Sequence, residues 1–109
     1  MKKLKILQAK TFLERFCGFM FKENAGYALF FKNCTSVHTF FMKFNINVVF
    51  LNKKNEIISI KKNVRPWRLV LPVKNAVSIL EIPTEIAPKN AENLKKSLNL
   101  RKFAVKMKK

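Results

Sequence analysis

The sequence predicts a mainly β (α+β) fold with a short helix near each end, and three observations predict it. Segments rich in Phe, Val and Ile recur between residues 27 and 82, separated by polar or proline-containing stretches. Helix signals occur only before residue 20 and after residue 89. The 109 residues are 49% hydrophobic, which suits one compact domain with its own core. We expect a single domain core over residues 1–88 and a basic segment over residues 89–109.

The N-terminal segment predicts a strand and then a helix. The lysine-bearing stretch Leu4–Leu7 is typical of a strand at a sheet edge. Thr11, followed three residues later by Glu14, matches a capping box and predicts a short helix that ends near Gly18. Three aromatic residues at helical spacing are expected to face the core: Phe12, Phe16 and Phe19.

The central region predicts a series of strands. The β-prone stretches are Tyr27–Phe31, Thr39–Phe44, Ile46–Leu51, Glu56–Ile60 and Val77–Ile82. The polar stretch Asn52–Asn55 predicts a hairpin with a four-residue loop. Pro66 and Pro72 indicate an irregular stretch, because proline lacks the N–H that a central strand needs.

The C-terminal segment, residues 89–109, holds eight cations and one acid, Glu92. Ala91, Leu94 and Leu98 share one helical face, which predicts a short helix. The alternation over residues 103–107 favours a closing edge strand, and we expect the final lysines to fray.

The charge points to an anionic partner. The chain carries +17, from 23 Lys and Arg against six Glu. This balance attracts nucleic acid, anionic lipid or acidic protein. Compositional drift in an AT-rich genome explains the many Lys and Asn residues but not the scarcity of Glu. Both interpretations stay open.

Ten of the eleven phenylalanines lie between residues 12 and 50. Aromatic residues beside lysines can stack on nucleic-acid bases. Most of them alternate with apolar neighbours in predicted strands, however, and we expect those to be core residues.

Several sequence blocks carry a resemblance to a known family. In chain order they are Gly18–Phe21, Cys34–Met42, Phe44–Leu51, Pro66–Arg68 and Leu80–Pro83. Together, from about Ala9 to Pro83, they resemble the domain of unknown function 192 family, also called uncharacterised protein family 0127. The resemblance implies a compact, small β-barrel-like domain with a short helix or two. It implies no reaction.

The chain departs from the family pattern at several positions. Asn45 stands where the family has Pro, Asn47 and Asn52 replace acidic residues, and Thr84 replaces Gly. A family Gly-Asp pair near the C-terminus has given way to the lysine-rich tail. Asn47 can accept a hydrogen bond but lacks the charge of an aspartate.

The segment Arg65–Arg68 is the main candidate for a binding site. Two guanidiniums beside Trp67 can clamp an anion or stack on a base. The alternative is that Trp67 covers an open barrel end while the arginines are solvated. The residues proposed for a cleft or anion-binding site are His38, Asn47, Arg65, Trp67 and Arg68.

Catalytic and metal-binding patterns are weak. Cys34 and His38 have suggestive spacing, but two ligands do not complete a zinc site. Glu14 is explained by the capping box, and Glu81 is expected to pair with a lysine across the sheet. We therefore predict no catalytic residue, metal or cofactor.

These observations predict a cytoplasmic protein without a transmembrane segment, since no long apolar stretch occurs. Its expected function is a non-enzymatic binding or accessory module with an unknown ligand. One alternative is nucleic-acid or other polyanion binding through the basic surface. A second is a small-molecule or enzyme site around His38, Trp67 and Arg68.

Overall fold

The computed structural model describes residues 4–90 and 92–95. Its elements are β1 (Ile6–Gln8), α1 (Phe12–Cys17), β2 (Ala28–Phe31), β3 (Val37–His38), β4 (Ile46–Leu51), β5 (Ile57–Val64), β6 (Leu69–Val70), β7 (Ser78–Pro83) and a 3-10 turn (Thr84–Ile86). Residues 92–95 are also helical. The closing strand and frayed tail expected after residue 100 lie outside the described residues.

Seven strands form two sheets. The main sheet has the order β1-β2-β7-β4-β5, in which β1 and β2 are parallel and the other pairs are antiparallel. The short strands β3 and β6 form a separate antiparallel pair. The mainly β class is confirmed. Within the described residues the sheet does not close into a barrel, because β1 and β5 are its two edges.

Both faces of the main sheet are buried. One face packs a cluster that reaches the helical residues 92–95: Leu4, Ile6, Ala28, Phe30, Val49, Leu51, Leu80, Ile82 and Leu94. The opposite face packs a second cluster beneath α1 and the β3–β6 pair: Ala9, Phe19, Leu29, Phe31, Met42, Ile46, Val48, Phe50, Val70, Ala76 and Ile79. Consequently β4 and β7 are buried at every position, as expected for central strands covered on both sides.

The capping box and the hairpin are confirmed. The Thr11 hydroxyl accepts the Glu14 N–H at 3.0 Å, and the Glu14 carboxylate accepts the Thr11 N–H at 3.0 Å. The backbone N–H groups of Thr11 and Lys10 both donate to the Glu14 carboxylate and lower its pKa. The loop between β4 and β5 is closed by Asn52, whose Oδ1 accepts the N–H groups of Lys54 and Glu56.

Two expectations about the aromatic segments are wrong. Phe12 and Phe16 do not face the core; they are 82% and 55% exposed, because α1 is only six residues long and buries none of them. Phe19, just beyond the helix, is fully buried as expected. The stretch Thr39–Phe44 forms turns instead of a strand, because its backbone bonds to two distant loops.

No helix among the described residues is long and apolar enough to cross a membrane.

Candidate functional site

Seven aromatic rings form a continuous chain of contacts along one edge of the molecule, here called the aromatic ridge. In contact order its members are Phe12, Phe16, His38, Phe40, Trp67, Phe41 and Phe21. The successive ring centroids lie between 4.6 Å and 6.2 Å apart. Such spacing is usual for rings that pack together inside a core.

The aromatic ridge is nevertheless exposed. Trp67 is 56% exposed, Phe21 63% and Phe41 45%. Two exposed leucines, Leu69 and Leu71, follow Trp67 along the chain. A contiguous exposed apolar surface on a small domain is typical of a binding surface.

Three members of the aromatic ridge have left-handed backbone conformations. The φ angles are 65° at Phe21, 63° at Phe41 and 66° at Trp67. The other non-glycine residues with positive φ in the described chain are all asparagines, which tolerate this conformation. A bulky residue there costs about 1–2 kcal/mol. Strain of this kind concentrates at binding and catalytic sites.

A buried threonine holds these loops in place. The Thr39 hydroxyl donates to the Arg65 carbonyl oxygen at 2.7 Å and accepts the Arg68 N–H at 2.8 Å. The Thr39 carbonyl oxygen also accepts the Trp67 N–H at 2.9 Å. The Phe21 N–H donates to the Phe41 carbonyl oxygen at 2.9 Å and so joins a third loop. These hydrogen bonds hold the backbones of the loops that carry Phe21, Phe41 and Trp67.

His38 acts as a structural part of the aromatic ridge. The Phe40 N–H donates to Nδ1 at 3.2 Å, so Nε2 carries the proton and donates to the Phe16 carbonyl oxygen at 3.1 Å. Both ring nitrogens are thus occupied within the protein. In this geometry His38 has no free nitrogen to serve as a base or a metal ligand.

A groove of about 480 Å³, here called the basic groove, lies beside the aromatic ridge. Its lining comes from the end of β5, the following loop and β6: Lys61, Asn63, Val64, Arg65, Arg68, Leu69, Val70 and Leu71. Among the described residues, no carboxylate lines this groove or pairs with its cations. The one ion pair found among those residues joins Lys43 to Glu23, which are not part of the groove. The loop that carries Trp67 into the aromatic ridge also supplies two guanidiniums to this groove.

Asn47 lies outside the aromatic ridge and does not line the basic groove, although its hydrogen-bond partner Asn63 does. It pairs with Ile82 on the face of the sheet opposite the aromatic ridge. Its Oδ1 accepts the Asn63 N–H and the Thr84 hydroxyl, both at 2.9 Å. Asn47 and Thr84 are both positions where the chain departs from the family pattern, and here they bond to each other. The structure thus groups His38, Arg65, Trp67 and Arg68 but not Asn47.

Glu81 is a buried acid at the centre of the sheet. It is 1% exposed and its neighbours across the strands are Leu29 and Val48, so the expected pairing with a lysine is wrong. Its Oε1 has no hydrogen-bond partner among the described residues. Burial raises the pKa of Glu81 to about 8, which leaves it protonated at neutral pH.

Gly18 makes room for this acid. A Cβ added at Gly18 would lie 3.3 Å from Oε1 of Glu81, and the glycine has a φ of 52°. A side chain there would therefore meet both backbone strain and a close contact. Phe31 and Met42 also lie within 4 Å of that added Cβ, and Glu81 does not line the basic groove.

A wider cleft of about 600 Å³ lies near the end of β7. Its polar groups bond mainly to one another: Lys43 pairs with Glu23 at 2.6 Å, and Asn45 donates to Asn63 at 3.0 Å. Unlike the basic groove, this cleft has two carboxylates in its lining, Glu23 and Glu85, beside its one cation, Lys43.

The structure gives no support for metal chemistry in the described chain. Within residues 4–90 and 92–95, no three His, Cys or Glu side chains come close enough to hold a metal ion. The Cys34 thiol donates to the Ser36 carbonyl oxygen at 3.1 Å, and burial raises its pKa. His38 bonds instead to Phe16 and Phe40.

The five phenylalanines of the aromatic ridge were not predicted as site residues from the sequence. These are Phe12, Phe16, Phe21, Phe40 and Phe41, and they are half of the ten in that region. Adjacency gave no signal for Phe40 and Phe41, because the adjacent rings Phe30 and Phe31 are both buried in β2, one on each face of the sheet.

The fold and the candidate site together define a small, mainly β domain with an open sheet and a basic, aromatic edge. Comparison with known proteins gives the family. Residues 1–96 match the family model DUF192, described as "Uncharacterized ACR". The chain belongs to this family, as the sequence blocks indicated.

Curated relatives support the assignment. A UPF0127 protein of Thermococcus sibiricus is 38% identical over 84 residues, a match that covers 72% of this chain and 54% of the relative. The chain thus spans about half the length of that relative. A UPF0127 protein of Pyrococcus furiosus is 33% identical over 90 residues, covering 77% of this chain and 76% of the relative.

A solved structure shares the fold. The crystal structure of a protein of unknown function from Novosphingobium aromaticivorans aligns with a TM-score of 0.65 and 17% identity. The alignment covers 73% of this chain and 63% of that one. At this identity the likeness shows the fold alone.

Proposed function

We propose that the domain is a non-enzymatic binding module that holds a polyanion through the basic groove. The observation that carries this proposal is the uncompensated charge of the groove beside an exposed, rigid aromatic ridge. Guanidinium groups bind phosphate or sulfate oxygens in bidentate geometry, and here two of them flank a single loop. A cytoplasmic location is part of this proposal.

Charge in the rest of the chain adds to this attraction. The net charge of +17 raises the local concentration of any polyanion and speeds its association. The groove then supplies a defined place for contact. A surface with evenly scattered lysines would lack such a place.

An enzyme is less well supported by the geometry. The one histidine has both nitrogens hydrogen-bonded within the protein, and the buried acid Glu81 lines neither the basic groove nor the wider cleft. A general base must reach a substrate proton at hydrogen-bond distance.

The proposal is tested by binding of heparin and labelled oligonucleotides, measured by fluorescence anisotropy at increasing salt. Replacing Arg65 and Arg68 together by Gln is expected to weaken binding at least tenfold and to flatten its dependence on salt, because fewer counterions are released.

The matched control replaces Lys53 and Lys54 by Gln. It removes the same charge from the hairpin loop, at the end of β5 remote from Val64 and the groove. We expect only a small loss of affinity. Equal losses in the two double variants would contradict a defined groove, and absence of binding at low salt would contradict polyanion binding altogether.

A further inference from the structure

The basic groove accounts for attraction to a polyanion but not for the aromatic ridge next to it. We infer that the aromatic ridge stacks the unpaired bases of a single-stranded nucleic acid whose phosphates lie in the basic groove. This inference rests on the proposed function, and it names the class of polyanion.

Aromatic side chains favour polyanions that also carry planar aromatic groups to stack on. Polyphosphate and sulfated polysaccharides carry charge but no planar aromatic group to stack. A duplex presents its phosphates while its bases are stacked on one another inside. An unpaired strand offers both phosphates and free base faces, the combination that single-strand binding proteins recognise with a basic groove and aromatic side chains.

The backbone of the aromatic ridge supports a role in binding. In a core, the free energy gained by burying an aromatic side chain can offset the strain of a left-handed backbone. Phe21, Phe41 and Trp67 have left-handed backbones but largely exposed rings. These three are consecutive in the aromatic ridge, with ring centroids 5.1 Å and 4.6 Å apart. Their positions are fixed by the hydrogen bonds of Thr39 and Phe41, so little order is lost when a base stacks on them.

The loop between β5 and β6 places the base and phosphate contacts close together. Arg65, Arg68 and Lys61 line the open basic groove. Trp67 stands on the same loop as both arginines, so a base on its ring and a phosphate in the groove can belong to one short stretch of strand.

The test compares labelled oligothymidylate and oligouridylate of about 15 nucleotides, a length within the usual site size. The other ligands are a duplex of equal length, heparin, and vesicles of anionic phospholipid. Affinities are measured at about 50 mM salt, where electrostatic contacts are strong. We expect both single strands to bind at least tenfold more tightly than the duplex. A preference between the two strands identifies DNA or RNA as the source.

The decisive variants are Trp67→Asn and Phe21→Asn, which remove a ring but tolerate the left-handed backbone. Each is expected to weaken single-strand binding about tenfold, as loss of one stacked base does, and to leave heparin binding within about twofold. The control is Ile58→Thr, which removes an exposed apolar side chain from β5 outside the aromatic ridge and should change neither affinity. Thermal unfolding of each variant confirms that it is folded. If one of the two ring variants does not fold, the other still tests the inference.

The outcomes separate the two proposals. If heparin, duplex and single strands all bind equally and the ring variants change nothing, this inference is overturned while polyanion binding stands. If nothing binds, both fail. Tighter binding to anionic vesicles than to single strands, lost in the ring variants, would also overturn the inference and make the aromatic ridge a membrane contact.

Discussion

The core and the aromatic ridge use the same side chain in opposite ways. Phe19, Phe30, Phe31 and Phe50 are almost fully buried against the main sheet. The phenylalanines and Trp67 of the aromatic ridge stand instead on turns and on α1, with much of their surface in solvent. Phe30, Phe31 and Phe50 lie on strands paired on both sides. The loops of the aromatic ridge depend instead on a few long-range hydrogen bonds around Thr39.

This contrast separates stability from binding. Rings in the core contribute free energy of folding by leaving water, while exposed rings held in strained conformations contribute little. We therefore expect substitutions in the two regions to have different effects, and the following predictions test that separation.

The largest loss of stability is expected from the core. Phe50→Ala removes a fully buried ring and should lower the free energy of unfolding by about 3–5 kcal/mol. Trp67→Asn should change it by less than about 1 kcal/mol, because the Trp67 ring is half exposed and strained. Urea denaturation measures both. If Trp67→Asn is as unstable as Phe50→Ala, the Trp67 ring contributes as much to the free energy of folding as a core ring does, which would contradict the prediction.

The buried acid should make stability depend on pH. The pKa of Glu81 is about 8 in the folded chain against an ordinary 4.5, so between these values the unfolded chain releases a proton that the folded chain keeps. Stability due to this group is therefore highest at low pH, falls as pH rises from about 4.5 to 8, and then levels off.

Glu81→Gln removes this dependence, because an amide does not ionise. The variant should gain about 3–5 kcal/mol relative to the native chain between pH 4.5 and 8. Denaturation curves of both proteins are recorded across that range. The contributions of the other ionisable groups cancel when the two free energies of unfolding are subtracted at each pH. Parallel curves for the two proteins would show that Glu81 ionises normally.

Loss of the Thr39 hydroxyl should loosen the aromatic ridge. Thr39→Val keeps the shape but leaves the Arg68 N–H and the Arg65 carbonyl oxygen without this partner, which costs about 1–3 kcal/mol. Single-strand affinity should fall as well, since the loop of Trp67 is no longer fixed. Thr39→Ser retains the hydroxyl and serves as the control; a larger loss in Thr39→Ser than in Thr39→Val would indicate that the methyl group, not the hydrogen bonds, is what matters.

The smallest effect on stability is expected at Phe21, where the substitution should stabilise the domain slightly or leave it unchanged. Phe21→Asn replaces an exposed ring at a φ of 65° by a residue that tolerates this conformation. The free energy of unfolding should stay unchanged or rise by up to about 1 kcal/mol. A clear loss of stability in thermal unfolding would mean that the ring contributes to the core.

Local signals predicted local structure well. The Thr11–Glu14 box and the Asn52–Asn55 loop involve partners three or four residues apart, so the sequence contains all of the necessary information. Thr39 is different, because its hydroxyl bonds to the carbonyl group of Arg65, 26 residues away. The β propensity of the surrounding residues could not reveal that contact, and the stretch was wrongly predicted as a strand.

Only the part of the candidate site that is local in sequence was predicted. Arg65, Trp67 and Arg68 are neighbours in sequence, and their grouping in the structure follows from the chain itself. Asn47 and Glu81 depend on sheet topology, which puts β7 between β2 and β4 and sends Asn47 to the face opposite the aromatic ridge. No pattern within a single strand specifies that order.

The most direct measurement uses the fluorescence of Trp67, which is the one tryptophan of the chain. Emission is followed while oligothymidylate of about 15 nucleotides is added at low salt. If bases stack on the aromatic ridge, the emission changes saturably with the same affinity as the anisotropy of the labelled strand, and added salt reverses both signals. Binding seen by anisotropy with unchanged Trp67 emission would place the strand elsewhere and contradict the account.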